Sequence, residues 1–481
     1  MEKQKAAQAA KYQYRRFDEE CNDRYRLGGL EELTDKVLTE FVNHHINKQR
    51  PRLEELRDYY KSQNRTIAQR KPREPHLSDK RLAHAYARYI SAFIQGYLVG
   101  TPIKVQHPDQ PTQSAVQELN KNIQANSLNS DLTLDLSIYG RAYDMVHRNQ
   151  ADQDRVYRLS PRNAFIIYDD TIEEKPLAGA RYWADHTGRL HADVYTATEV
   201  RHHTAVAAGT LVLDADATEA HYFGDVPITE YANNRFRQGD FEPVLDDIDA
   251  YDEAQSDTGN YMTDLNDAML VISGDVALEV SDAQAMKEAN LLLLIPAKDI
   301  DGKPQQIPTA QYIYKQYDVN GVESYKKRLQ QDIHRFTNTP DMADENFSGN
   351  ASGESMKYKL FGLDQVRAEK ETRMTAGLRR RYQLLFTLKD RARERINADA
   401  NDLEFIFTPN IPRAFYEELK AFSEAGGQLS QETLLTITAL VDSPQAEVAR
   451  IEAETAKRMT PMYPYEDTTT TADLLRAPAP E

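Results

Sequence analysis

A multidomain α+β fold is predicted by three features of the sequence. With 481 residues and 40% hydrophobic content, the chain exceeds one ordinary core yet carries enough apolar material to bury several. Between residues 140 and 224 the pattern is one of short β-rich runs separated by Asp, Gly, Asn and Pro. Segments with helical periodicity flank this block on both sides, and two of them are long.

The helical elements come first. Residues 34–47 and 51–63 read as two helices, with Pro51 suited to a first-turn position. A third, over 79–99, places Leu82, Tyr86, Tyr89, Ile90, Phe93, Ile94 and Tyr97 on one broad face and stops at Gly100-Thr101-Pro102. Residues 112–138 are helical again. Strands of an antiparallel sheet region are then expected at 143–147, 156–159, 165–168, 180–183, 193–196 and 221–223.

Pro243 opens a periodic helix in which Val244, Leu245, Ile248, Tyr251, Thr258, Tyr261, Met262, Leu265 and Met269 share a face. It should be about 40 Å long at the usual helical rise. Its other faces carry Asp246, Asp247, Asp249, Asp252, Asp257, Asp264 and Asp267. A compact α+β insert follows over 271–319, with strands near 271, 277–280, 292–295 and 312–317 and a turn at Asp301-Gly302-Lys303-Pro304. A helix at 322–336 leads back, so the two helices can pair as a stalk with the insert at its tip.

Residues 341–353 include Asn346-Phe347-Ser348-Gly349-Asn350-Ala351-Ser352-Gly353, the composition of an exposed loop. No proline follows until Pro409, and Met356, Leu360, Leu363, Met374, Leu378, Leu385 and Leu388 mark one very long helix to residue 395. Its length should be about 60 Å, with Gly362 and Gly377 as candidate bends. A strand at 403–408 and helices at 414–424, 431–440 and 444–457 come next; the Thr/Pro/Ala-rich remainder after Met459 has the composition of a disordered tail.

Charge narrows the function. The net charge of -17 argues at first sight against a nucleic-acid partner, because phosphate binding is driven by Lys and Arg. The acid is localised, however: residues 1–100 carry 20 basic and 14 acidic groups, residues 201–300 carry 5 and 20, and residues 321–400 carry 16 and 12. From Gln238 to Met286 there is no Lys or Arg, while thirteen Asp or Glu occur. A repulsive patch is one natural reading. A mean hydropathy of -0.70 with 27 tyrosines describes a polar surface rich in the rings common at subunit interfaces.

Several chemistries find little support. Cys21 is the single cysteine, which forms no intrachain disulfide and no metal cluster and fits a reducing compartment. No run approaches the roughly 20 apolar residues of a membrane span, and the N-terminus lacks a secretory apolar core, so a soluble protein made in the cytoplasm is expected. Asp247, Asp249, Asp252 and Glu253 resemble a calcium loop only superficially, since the central glycine is missing and the segment is helical. The pairs His44-His45 and His202-His203 need distant partners for any ligand role, and Asp169-Asp170 with Glu173-Glu174 reads as a hairpin turn. Residues 349–355 lack the lysine and preceding strand of a phosphate loop. No cofactor, metal or catalytic group is expected.

The order of parts, together with four segments, carries a resemblance. These are RLAHAYARYISAFIQGYLVGTPI (81–103), YRLSPRNAFIIYDDTIEEKPLAGARYW (157–183), GDFEPVLDDIDAYDEAQSDTGNYMTDLNDAMLVISG (239–274) and SGNASGESMKYKLFGLDQVRAEK (348–370). Over about residues 30–455 the chain resembles the portal proteins of tailed bacteriophages, notably long-tailed phages of Gram-positive hosts.

That resemblance implies a portal fold of wing, stem, clip and crown assembling as a ring, typically a dodecamer. It assigns residues 1–240 to the wing, 241–270 to a stem helix, 271–320 to the clip, 321–340 to the second stem helix and 341–353 to the tunnel loop. Residues 354–396 become the long helix, 397–411 a wing strand, 412–458 the crown and 459–481 the tail. It further implies a non-enzymatic channel at one capsid vertex of the virion. The partners would be double-stranded DNA, the terminase large subunit, a head-tail adaptor, and the major capsid and scaffolding proteins, with no membrane. The ring would serve procapsid assembly, packaging, head-tail joining and ejection.

By position, the tunnel loop offers Asn346, Phe347, Ser348 and Asn350 to DNA. The stem offers Asp246, Asp249, Asp252, Asp257 and Asp264 as an acidic wall, or as acids that simply solvate the outside of a helix. The clip turn offers Lys298, Asp299, Asp301 and Lys303 to terminase and adaptor, or is an ordinary turn. The basic cluster Arg379, Arg380, Arg381, Lys389, Arg391, Arg393 and Arg395 is expected to pair with a neighbouring acidic subunit more than with DNA or capsid. The competing classes are a metal-dependent nuclease, which would spread its acids over several strand ends, and another minor head-assembly protein, which would not need stalk, insert and loop.

Overall fold

The computed structural model describes residues 16–75, 77–206, 209–264, 269–273, 301, 309–313, 318–342, 360–391, 398–410, 430, 431, 433, 435 and 444–459. The chain divides into two compact units, Met1–Asn410 and Ile411–Glu481. In the second, helix α10 (Pro444–Met459) lies where the sequence places a helix.

After strand β1 (Tyr25–Leu27), Thr34 caps helix α1 (Asp35–His44) by accepting from the Val37 amide. Helix α2 (Arg50–Tyr60) does not restart after a break, as expected from Pro51, but continues from α1 through a wide turn over His45–Gln49. Proline at 51 has no N–H for the carbonyl four residues back, and the chain absorbs the loss as a π turn in which the Arg50 amide reaches the His45 carbonyl. The short helix α3 (Arg65–Ala68) is capped by Asn64. Helix α4 (Tyr86–Val99) begins seven residues later than its sequence pattern suggests, and residues 78–85 are not helical. Strand β2 (Lys104–Gln106) and helices α5 (Gln110–Asn122) and α6 (Ala125–Tyr139) complete the N-terminal part.

Two sheets follow. Strands β5 (Ala164–Asp169), β6 (Pro176–Ala184), β7 (Leu190–Tyr195), β8 (Glu199–Ala205) and β9 (Leu211–Ala220) run antiparallel in order, with β1 added parallel to β5. Strands β10 (Ile228–Ala232), β3 (Arg141–Arg148) and β4 (Asp154–Leu159) form the second sheet. One face of the larger sheet buries Phe165, Ile167, Ala180 and Val194 against Leu38 and Val42 of α1. Its other face packs Ile166 and Tyr168 against Tyr143 and Ile228 of the smaller sheet. The expected strand at 221–223 is absent, and β8, β9 and β10 were not anticipated. Strand β9 reads LVLDADATEA, whose open face is polar, so apolar alternation underreports it.

Helix α7 (Leu245–Asp264), strands β11 (Met269–Ser273) and β12 (Thr309–Ile313), and helix α8 (Val319–Phe336) lie in the expected order, with β11 antiparallel to β12. Helix α7 is about 30 Å long by the usual rise, shorter than expected. Helix α9 (Phe361–Arg391) spans 31 residues, or about 46 Å. Gly377 sits within α9; a Cβ there would lie 2.4 Å from the Tyr231 ring, so the glycine admits β10 against the helix. Met374, Leu378, Tyr382 and Leu385 of α9 enter the largest core with Leu128, Leu132 and Leu136 of α6. Strand β13 (Glu404–Ile406) closes the unit antiparallel to β2. No helix among the described residues is long and apolar enough to cross a membrane.

Candidate functional site: the acid-rich helix and its partners

Helix α7 follows a single turn, Glu242–Val244, that Pro243 helps to form. Its first residues are apolar where the sequence says they should be: Leu245 and Ile248 are buried. From there the buried face turns polar. Asp252, Ser256 and Asn260, four residues apart, are all inside the protein.

Residues 78–84 explain this. Their alternate backbone amides donate in turn to side chains of α7: Ser78 to Asp264 Oδ1 (2.9 Å), Lys80 to Asn260 Oδ1 (2.6 Å), Leu82 to Ser256 Oγ (2.9 Å) and His84 to Asp252 Oδ1 (2.9 Å). Two residues of extended chain advance about 6.6 Å and four of helix about 6.0 Å, so the segment and the helix stay in step over three helical turns. Arg73 and Arg70 hold the other side of the segment, donating to the carbonyls of Ser78 and Lys80 and to Asp264 and Asp257. Amides turned toward the protein need partners, and here a helix supplies them through its side chains. That requirement outweighs the helical propensity of residues 79–85.

Nearer the start of α7, Asp249 accepts from Tyr59 Oη, Asn64 Nδ2, Thr66 Oγ1 and Arg16 Nη1, and Asn64 also reaches Asp252. Arg16 extends to Asp246 as well. The Asp264 carboxyl is held below the usual range by the Ser78 hydrogen bonds and by Arg73. Asp247 is pushed the other way, by burial first and then by the nearby charges of Asp332 and Asp246.

Of the five carboxylates expected on an acidic wall, Asp252 is therefore corrected to an interior residue: it is 0% exposed and forms the end of the polar seam. All four others are reached by arginines of the N-terminal segment, but Asp249 and Asp264 are partly buried there, while Asp246 and Asp257 keep exposed carboxylates. The four-residue spacing of Asp252, Ser256, Asn260 and Asp264 was visible in the sequence and is the signal that marks this face. Asn346, Phe347, Ser348 and Asn350 lie outside the described residues, as do Lys298, Asp299 and Lys303; Asp301 is an exposed turn residue.

The basic cluster on α9 needs a second correction. Arg381 is fully buried and paired with Asp144 at 2.6 Å, Arg380 pairs with Asp225 at 2.8 Å, and Lys389 pairs with Asp154 at 3.0 Å. These cations are neutralised within the chain, not by a neighbour, because α9 runs through the core beside the smaller sheet. Arg393 and Arg395 lie outside the described residues. Among the described residues no three His, Cys, Asp or Glu side chains come together to hold a metal ion. His45 is interior, bonded to Tyr182 Oη; His202 and His203 meet Asp193 and Asp35 separately.

Residues 39–460 match the family described as phage portal protein, SPP1 Gp6-like. The portal protein of Bacillus phage SPP1 is 22% identical over 400 residues, which make up 78% of this chain and 76% of that protein. Two solved structures are similar at low identity. One is the neck of an empty gene transfer agent (GTA) particle computed with C6 symmetry: 13% identity, TM-score 0.42, 74% of this chain and 89% of that one. The other is the neck of the native particle computed with C12 symmetry: 12% identity, TM-score 0.44, 81% and 93%.

Proposed function

The chain belongs to the SPP1 Gp6-like family of phage portal proteins, a portal of the capsid, and from that premise we propose how it serves there. It forms a closed ring of identical subunits, twelve by the family pattern, around a bore that passes double-stranded DNA. The chain performs no catalysis of its own; it nucleates the procapsid, offers the clip turn with Lys298, Asp299, Asp301 and Lys303 to the terminase large subunit, and later receives the head-tail adaptor. It is made in the host cytoplasm and ends in the virion.

The observation that carries the channel reading is the composition of α7: seven Asp or Glu and no Lys or Arg in a helix paired with α8. A wall that let duplex slide must not grip it, because each Lys or Arg on a phosphate releases counterions and adds affinity. The carboxylates of α7 that the ring leaves unpaired would keep the polyanion centred, softened beyond about 8 Å at physiological salt. Asn346, Phe347, Ser348 and Asn350 would then touch the duplex as neutral groups that do not hold it.

Negative-stain microscopy of the purified full-length protein tests this reading. Rings with an axial hole are expected. A stable monomer that cleaves DNA with a divalent metal would replace it with the nuclease reading.

A further inference from the structure

Helices α7 and α8 differ in charge. Against the seven acids of α7, α8 carries four Lys or Arg and two acids. They pack together where Lys326 Nζ meets Gln255 Oε1 at 2.9 Å, beside buried Leu329 and Ile333. At 3.6 residues per turn, Asp246, Glu253 and Asp257 lie about 160–180° round α7 from Gln255, and all three are exposed. Arg328 and Arg335 lie about as far round α8 from Lys326 and are exposed too. The helix pair thus has an acidic outer side and a basic outer side, each with a seven-residue repeat: Asp246 to Glu253, and Arg328 to Arg335.

Some of this charge is met within the chain. Arg16 reaches Asp246, Arg70 reaches Asp257, and Asp332 reaches Arg328. Glu253 and Arg335 have no ion-pair partner among the described residues. A unit whose two outer sides differ cannot pair by presenting the same patch twice. It associates head to tail, and head-to-tail contacts that close make rings.

We infer that the acidic stripe of α7 in one copy docks on the basic stripe of α8 in the next, with Glu253 set against Arg335. This rests on the ring reading above and gives that ring its register. Exposed ion pairs are individually weak, so the pairing selects the correct neighbour and rejects like-charged registers more than it supplies bulk affinity.

A charge swap in the full-length chain tests it, read as the fraction of protein in rings by native mass spectrometry and microscopy. Glu253→Arg alone and Arg335→Glu alone should each lower the ring fraction at least tenfold at low salt, and the double variant should recover most of it. Both positions are exposed, so circular dichroism should be unchanged; Glu253→Gln serves as a milder variant whose assembly should lose part of its salt dependence. Single reversals that assemble like the unmodified chain, or a double variant no better than the singles, overturn the inference and leave the portal reading standing. Failure of the unmodified chain to form rings overturns both.

Discussion

Asp252 accepts both the backbone amide of His84, at 2.9 Å, and the His84 ring nitrogen Nδ1, at 2.8 Å, through one carboxylate oxygen, while its other oxygen accepts from Asn64. Residues 168 positions apart in sequence are thereby locked together inside the protein.

Replacing Asp252 with Ala should therefore cost about 2–3 kcal/mol, because it strands the half-buried amide of His84 and the buried side-chain donor of Asn64 at once. Asp246→Ala, at an exposed carboxylate, should cost less than about 1 kcal/mol. Urea unfolding of both variants measures the difference; equal midpoints would mean that the polar seam contributes nothing.

The Arg381–Asp144 pair is closed off on both sides, and Tyr231 Oη also donates to Asp144. Asp144→Ala leaves a guanidinium buried without its counter-charge and should destabilise by about 3–5 kcal/mol. Replacing both residues with apolar side chains of similar volume should cost well below the sum of the two single changes. A double-mutant cycle by denaturant unfolding provides the check.

His45 is held down to about pH 3 by burial first, then by the charges of Arg141, His44 and Arg50. The unfolded chain takes up this proton near pH 6.5 and the folded chain only near pH 3. The contribution is thus fully present above pH 6.5 and is lost as pH falls through that window, at about 1.4 kcal/mol per pH unit. The pH dependence of the urea midpoint between pH 4.5 and 7 should flatten in His45→Gln. An unchanged slope would show that His45 does not carry it.

Deleting residues 346–351 should leave rings intact, since ring contacts are assigned elsewhere, but should impair DNA packaging in an assay with procapsids and terminase. Packaging at the unmodified rate would remove the loop from the channel account.

Much of the architecture could be read from local pattern. The β-rich block, the acid-rich helix, the returning helix and the long helix through residue 391 all follow from side-chain periodicity, which depends only on neighbours a few positions away. What escaped has its cause elsewhere in the chain. Leu82 looked like part of a helical face, yet its amide is claimed by Ser256. Arg380 and Arg381 looked like a surface cluster, yet their counter-charges come from Asp225 and Asp144, 155 and 237 positions earlier in the chain.

The amino-acid order alone determined the class of fold, the succession of helices and strands and the presence of one helix rich in acid and free of Lys and Arg, because these are properties of short windows and of composition. Only the tertiary structure decided which carboxylates remain free. A charge buried from water must find a partner, and whether Asp252 is a solvated acid or the anchor of a distant segment depends on what packs over it.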